Sequence, residues 1–308
     1  MALSADSLLE RMQLKSQVSR WRLAAIAILA LAIIIFVAPS NNQNTSLTLG
    51  GDAIARIEVT DIITQDRDRD AKIKEIAEND NLQAVILHVD SPGGTIVGGE
   101  TLYYSIKSLA DQKPVVVVMG SVAASGGYMA ALPAHHIIAH EGTLTGSIGV
   151  VLQTAEFTDL AEKMGVNLLT FKSGELKAAP SPFEKLTPKA RNAVDASIES
   201  GYQMFVRMVA ESRKMDKSQV LKLADGRVFT GSQALQQGLI DAIGSESDAI
   251  LWLQEAFGVD KSLPVKDISL KPQPSKFDAF LTRMFGDGKL GAMFNSGQGL
   301  MAIWKPVF

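Results

Sequence analysis

Residues 120–131 read GSVAASGGYMAA and follow four consecutive valines, 115–118. A serine, Ser125, therefore stands just past a β-branched run, with Gly126 and Gly127 behind it. A serine hydroxyl is a weak nucleophile until a base takes its proton. The carbonyl it attacks needs backbone donors for the oxyanion that develops. A strand that ends at Ser125 and a helix that starts there would expose the hydroxyl and offer free N–H groups. The two glycines would keep side chains out of the path of a peptide. The arrangement is similar to a nucleophile elbow without being G-x-S-x-G. The bland alternative is a serine N-cap followed by glycines for tight packing, and these residues alone do not separate the two.

A second glycine pair lies in Asp90–Ser91–Pro92–Gly93–Gly94, again after an apolar run (82–89, LQAVILHV). In a parallel sheet the carboxyl ends of neighbouring strands lie together, and ligands bind there. Two glycine turns would then meet at one edge. The N–H groups of Gly94 and Gly126 are the candidate oxyanion donors. A turn that only needs positive φ is the competing explanation for Pro-Gly.

The base is a histidine or a lysine. His135 and His136 follow Pro133, His88 lies inside an apolar run, and His140 follows a short one. No Asp or Glu is obviously placed to orient any of the four. Lysines occur in FKSGELKAAPSPFEK (171–185). A lysine acts as a base only when neutral. Its reference pKa is about 10.4, and burial among apolar groups lowers it by several units. Lys177 has Leu176, Ala178, Ala179 and Pro180 around it, but Glu175 must point away for the amine to lose its charge. Spacing leaves Lys172, Lys177 and Lys185 all open. Metal chemistry is not called for, because no HExxH or clustered carboxylate set occurs.

The elements that would position these groups alternate. Strands are predicted at 54–59, 82–89, 115–119, 137–139 and 168–171, and helices at 66–79, 99–110, from Ser125, at 157–164, around 194–209 and at 232–237. Buried strands alternating with helices give an α/β layered fold with a parallel sheet. From Lys261 the pattern weakens, and no fixed-period repeat is present.

The chain has 308 residues, 46% hydrophobic and 20% charged, with a net charge of −3 and no cysteine. That composition supports a packed core and excludes a thiol nucleophile, disulfides and thiolate metal sites. Without a basic cluster, nucleic acid is not an expected partner. Residues 23–38 (LAAIAILALAIIIFVA) carry no polar side chain. As a helix they would cover roughly 24 Å of a ~30 Å hydrocarbon core. Arg11, Lys15, Arg20 and Arg22 precede the stretch, and no Lys or Arg follows until Arg56. This bias predicts an uncleaved signal anchor with the N-terminus in the cytoplasm and the remainder exported, with a cleaved signal peptide as the rival reading. The expected organisation is a cytoplasmic tail (1–22), an anchor (23–38), a polar linker (39–50), a catalytic domain (51–262) and a C-terminal extension (263–308).

The segments SPGG, MGSVAASGGYMAA, TGSIGVV, KSGELKAAPSPF and ADGRVFTGSQALQQGLID occur in this order and span most of the exported part. Together they resemble the signature segments of the signal peptide peptidase A family, in its small single-domain form. The resemblance implies a membrane-anchored serine endopeptidase of the bacterial inner membrane, with a fold like the ClpP protease and the crotonases. It would use a Ser-Lys dyad and no cofactor. By position, Ser125 matches the nucleophile, Lys177 the general base, and Ser147 the serine that holds the lysine amine. Gly94 matches the oxyanion glycine, and Gly126 is its inferred partner. Remnant signal peptides are the implied substrates and a homo-oligomeric ring the implied assembly, with the C-terminal extension in possible contact with a neighbouring subunit. Two other classes compete: a crotonase-type acyl-CoA enzyme, which would need neither Ser125 nor an anchor, and a non-catalytic membrane scaffold.

Overall fold

The computed structural model describes residues 51–270 and 301–303, together with Trp21, Arg22 and Ile26, which are helical. The chain divides into two compact units, one of residues 1–48 and 273–296, the other of residues 49–272 and 297–308. The expected anchor (23–38) lies outside the described residues apart from Ile26, and so does the polar linker. Among the described residues no helix is long and apolar enough to cross a membrane.

The second unit begins with β1 (Ala53–Ile63), α1 (Arg67–Ala77), β2 (Leu82–Thr95), α2 (Ile96–Ala110), β3 (Val115–Ala124) and α3 (Gly126–Ala131). β4 (His136–Ala139), β5 (Leu144–Gly146) and α4 (Thr158–Lys163) follow, and then the long α5 (Pro188–Arg213). The unit continues with α6 (Lys217–Leu223), β6 (Val228–Thr230), α7 (Gly231–Gln236), β7 (Ala242–Ile243), α8 (Glu246–Phe257) and β8 (Val265–Asp267); β9 (Met301–Ile303) comes last. The fold is mixed α/β, and its sheet is mostly parallel.

The sheet runs β6-β5-β3-β2-β1-β8, with β4 and β7 on a branch from β3 and β9 on β2. β3 and β2 are each shared between two neighbours along one edge. On its outer edge β3 pairs first with β4 (Val116–Met119) and then with β5 (Val122–Ala124). β2 pairs with β1 along one edge; on the other it meets β3 up to Ser91 and β9 at Gly93–Thr95.

Both faces of the central strands are covered. Ile54, Ile86, Val116, Val118 and Ile138 pack with Ala249 and Leu253 of α8. Ile57, Val85, Leu87, Val115 and Val117 point the other way and are equally buried. That is why the valine run has no polar alternation. Each such side chain contributes roughly 1.5–3 kcal/mol on burial. The helices are closed by local signals: Asp66 accepts from the Asp68 and Arg69 N–H groups to start α1, and Thr187 caps α5 ahead of Pro188.

Three expectations change. β2 continues past residue 89 to Thr95, because β1 remains beside it as far as Ile63↔Gly94. Residues 168–171 are not a strand. Their pattern is apolar, but no sheet edge offers them a ladder, and Leu169 and Phe171 are 79% and 92% exposed. The short strands β5–β8 and the helices α6 and α8 were not anticipated; the strands, two or three residues long, are too short to show a period.

Candidate active site

Ser125 lies at the junction of β3 and α3 and is 1% exposed. Its backbone has φ +55° and ψ −117°, a conformation that costs a non-glycine residue roughly 1–3 kcal/mol. The surroundings enforce it. The Ser125 N–H donates to the Gly146 carbonyl at 2.8 Å, and its own carbonyl accepts from Met129 N–H at 2.9 Å. Just before it, the Thr145 hydroxyl donates to the Ala123 carbonyl at 2.6 Å. Although Ser125 occupies the N-cap position, its side chain makes no capping hydrogen bond. The N-cap explanation therefore does not account for the serine. The strand–turn–helix context is that of a nucleophile elbow. α3 is only six residues long, so any stabilisation of an oxyanion there depends on individual amides rather than on a helix dipole.

Ser147 is the next residue along from this anchor. β3 and β5 pair Ala124 with Gly146, so Ser125 and Ser147 follow one another at adjacent strand ends. Ser147 also has positive φ (+48°), is 8% exposed, and donates its N–H to the Arg227 carbonyl at 2.9 Å. Gly146 has φ +78°, and a Cβ there would lie 2.6 Å from the Phe229 ring.

The Gly93–Gly94 turn sits at the far end of β2, on the edge that β3 leaves after Ser91. β1 hugs it closely: a Cβ on Gly94 would stand 1.8 Å from the Ile63 carbonyl oxygen. A Cβ on Gly127 would stand 2.6 Å from the Ser91 carbonyl oxygen. Both glycines are thus required by backbone packing within the chain, whereas for Gly127 the sequence suggested access for a peptide. Asp90 joins the two turns, its Oδ1 accepting the Val122 N–H at 3.0 Å. Ser91 joins them too, and neither residue was singled out from sequence. Their positions between strand and glycines were the available signal. β9 lies antiparallel on this same edge, with Gly93↔Ile303, Gly94↔Ala302 and Thr95↔Met301.

The three lysines left open by spacing are separated by their partners. Lys172 is ion-paired with Glu184, and Lys185 with Asp159 at 3.2 Å. The hydrogen bond Lys185 donates to Asp159 raises it above the ordinary lysine value, and the one Glu184 accepts from Lys172 holds that carboxyl below the carboxylate range. Glu175, the carboxylate that threatened Lys177, is held by Lys189 at 2.6 Å instead. Among the described residues the Lys177 ammonium has no hydrogen bond or ion pair. Lys177 is, however, exposed rather than sheltered, as are Leu176 and Ala178 beside it. It belongs to a segment, 151–187, whose apolar side chains face outward, Phe157, Met164 and Phe183 among them. Among the described residues nothing covers its amine.

The histidines lie elsewhere. β3 pairs Val116 with His136 and Val118 with His88. These positions are nine and seven residues before Ser125 along β3. His135 Nδ1 accepts the Val115 N–H. His136 stacks on Trp252, and burial pushes its pKa down. His140 follows Ala139, which is level with Met119. A cavity of about 790 Å3 lined by Glu58, His88, Asp90, Ser121 and His140 opens on this part of the sheet and contains none of the predicted site residues. No group of three or more metal-ligating side chains occurs among the described residues.

Residues 107–260 match the model of peptidase family S49. A Synechocystis sp. protein that bears a protease designation is 39% identical over 223 residues, covering 72% of this chain and 80% of that one. Protease 4 of Haemophilus influenzae is 34% identical over 79% of this chain and 37% of its own. The chloroplastic serine protease SPPA of Arabidopsis thaliana is 42% identical over 58% of this chain and 27% of its own. Among solved structures, a membrane-bound stomatin-specific protease superposes with a TM-score of 0.44 at 19% identity, covering 73% of this chain and 100% of that one. The chain belongs to peptidase family S49, the signal peptide peptidase A family, and is a serine peptidase.

Proposed function

We propose that the chain is a membrane-anchored serine endopeptidase in which Ser125 is the nucleophile and Lys177 the general base. The observation that carries this reading is the backbone of Ser125: a strained serine at a strand–helix junction whose hydroxyl caps nothing. Neutral Lys177 takes the proton from Ser125 Oγ as the oxygen attacks the substrate carbonyl. The N–H groups of Gly94 and Gly126 hold the oxyanion. The protonated amine then gives its proton to the leaving nitrogen, and the acyl-enzyme at Ser125 is released by water with Lys177 again as base. Ser147, beside the Ser125 anchor, holds the amine.

A buried Ser125 and an exposed Lys177 in an apolar segment favour a dyad completed between copies of the chain in a homo-oligomeric ring of ClpP/crotonase-like subunits. Packing of segment 151–187 against a second copy would cover its apolar side chains and remove the amine from water. Desolvation of that kind favours the neutral form. The substrates are extended apolar peptides, remnant signal peptides among them. They add as a strand to the β2 edge at Gly93–Thr95, the edge on which β9 already lies antiparallel. Residues 23–38 anchor the enzyme in the bacterial inner membrane, with the protease domain on the extracytoplasmic side.

The test is hydrolysis of an apolar fluorogenic peptide by the full chain and by Ser125→Ala, Lys177→Ala, His135→Ala and His136→Ala. The first two should lose turnover by about 10³-fold or more, and the histidine variants should retain it. Activity in Lys177→Ala with loss in either histidine variant would overturn the reading. Coenzyme A binding by the protein would favour an acyl-CoA enzyme instead.

A further inference from the structure

We propose that Ser91 is a positioning residue for the Ser125 site, its hydroxyl fixing the Gly93–Gly94 turn at the level of the nucleophile. Ser91 is 0% exposed and sits where three pieces of main chain converge. Its Oγ donates to the Asp61 carbonyl of β1 at 2.5 Å and accepts the Gly93 N–H at 3.1 Å. A Cβ on Gly127, two residues after Ser125, would lie 2.6 Å from the Ser91 carbonyl oxygen.

The sheet shows why a tie is needed at this level. The β1–β2 register shifts between Thr60 and Ile62, and the β2–β3 register shifts between Val89 and Ser91. Asp61 has φ +62° and Gly93 has φ +104°. Both pairings of β2 are thus irregular at the same height, and because the β3 ladder ends at Ser91↔Ala123 no ladder bond ties Gly93–Gly94 directly to the strand that carries Ser125. The Ser91 hydroxyl spans the β1–β2 irregularity with one hydrogen bond donated to Asp61 and one accepted from Gly93. Without it the turn can shift by a fraction of an ångström, and catalytic geometry is sensitive to displacements of that size. Ser91 need not touch substrate; it acts through Gly93 and Gly94.

The inference rests on the reading of Gly94 as an oxyanion donor. It is tested in the full chain with Ser91→Ala and Ser91→Cys, beside Ser125→Ala as a control. Measured for each are kcat and KM on an apolar peptide, the melting temperature, active-site titration, and the affinity of a peptide boronic acid, whose tetrahedral adduct mimics the oxyanion. Both Ser91 variants should lose kcat by about 10–100-fold at nearly unchanged KM, with boronate affinity falling in parallel and titration still finding a full complement of sites. Wild-type kcat and boronate affinity in either variant would overturn the proposal. So would a loss accounted for by fewer titratable sites, or failure of both variants to fold, since Ser91 would then serve stability alone. If Ser125→Ala keeps its turnover, the nucleophile assignment falls, which is a separate outcome from a normal Ser91→Ala beside an inactive Ser125→Ala.

Discussion

The Ser125 N–H donates to the Gly146 carbonyl at 2.8 Å, so the strained serine is pinned to the residue that immediately precedes Ser147. One backbone hydrogen bond thereby fixes the relative height of two hydroxyl-bearing residues, each at positive φ. Gly146 can hold this place because φ +78° and the nearby Phe229 ring exclude a side chain. Gly146→Ala should therefore damage both positions at once. We expect loss of peptidase turnover together with a lower melting temperature, measured by kinetics and calorimetry on the same sample, at a cost of about 1–3 kcal/mol from overpacking.

Lys177 and its neighbours give a test of charge against base. Arginine keeps the positive charge and much of the reach but does not deprotonate in proteins. Lys177→Arg should be as inactive as Lys177→Ala, whereas Lys172→Arg and Lys185→Arg, which preserve ion pairs with Glu184 and Asp159, should stay within about twofold of wild type, as is usual for surface pairs. Steady-state kinetics on the four proteins checks this.

Completion of the dyad between copies has its own signature. Ser125→Ala and Lys177→Ala chains, each inactive alone, should regain part of the wild-type turnover when dissociated and reassembled together. Phe171→Ser with Leu169→Ser, at two strongly exposed apolar positions, should shift the protein to smaller species in analytical ultracentrifugation and lower activity in proportion.

The β9 pairing bears on substrate entry. Met301–Ile303 lies on the β2 edge at Gly93–Thr95, where an added peptide strand would bind. Adjacent residues in a strand point their N–H groups in opposite directions. Replacing both Ala302 and Ile303 by proline therefore removes whichever donor faces β2. The double variant should show a lower KM for peptide with kcat unchanged. An unchanged KM would mean that substrate does not use this edge.

Away from the site, Asp241 ties β4 to α5. Its Oδ2 accepts the Ile137 N–H at 2.8 Å, and both carboxylate oxygens accept from Arg213. Burial opposes ionisation of Asp241, but the Arg213 hydrogen bonds outweigh it and hold its pKa below the usual carboxylate value. A depressed folded-state pKa gives stability that is present above the unfolded value and is lost as pH falls through the folded one. Melting temperature should thus drop in acid, and Asp241→Asn should be less stable near neutrality but show a shallower decline below about pH 4.

Much of this arrangement was legible in the sequence because strong local signals coincide with it. The unbroken valines of β3 and the amphipathic stretch of α5 around 194–209 each have a local cause. What was not legible depends on distant neighbours. Gly94 and Gly127 are explained by Ile63 and Ser91, which no spacing rule connects to them. Spacing left Lys172, Lys177 and Lys185 open and the family resemblance pointed to Lys177; the partners that set the three apart in the structure, Glu184, Asp159 and Lys189, are contacts that only the folded loop creates. Shelter was inferred for Lys177 from apolar neighbours in sequence, yet Leu176 and Ala178 are exposed and Ala179 and Pro180 only half-buried, so apolar composition did not translate into burial.

The most direct test of the central claim is covalent. The full chain should be treated with a fluorophosphonate, and the labelled residue and labelling rate read by mass spectrometry. The label is expected on Ser125, at a rate lowered by about 10³-fold or more in Lys177→Ala and unaltered in Lys172→Ala. A label on another residue, or wild-type labelling of Ser125 in Lys177→Ala, would contradict the assignment.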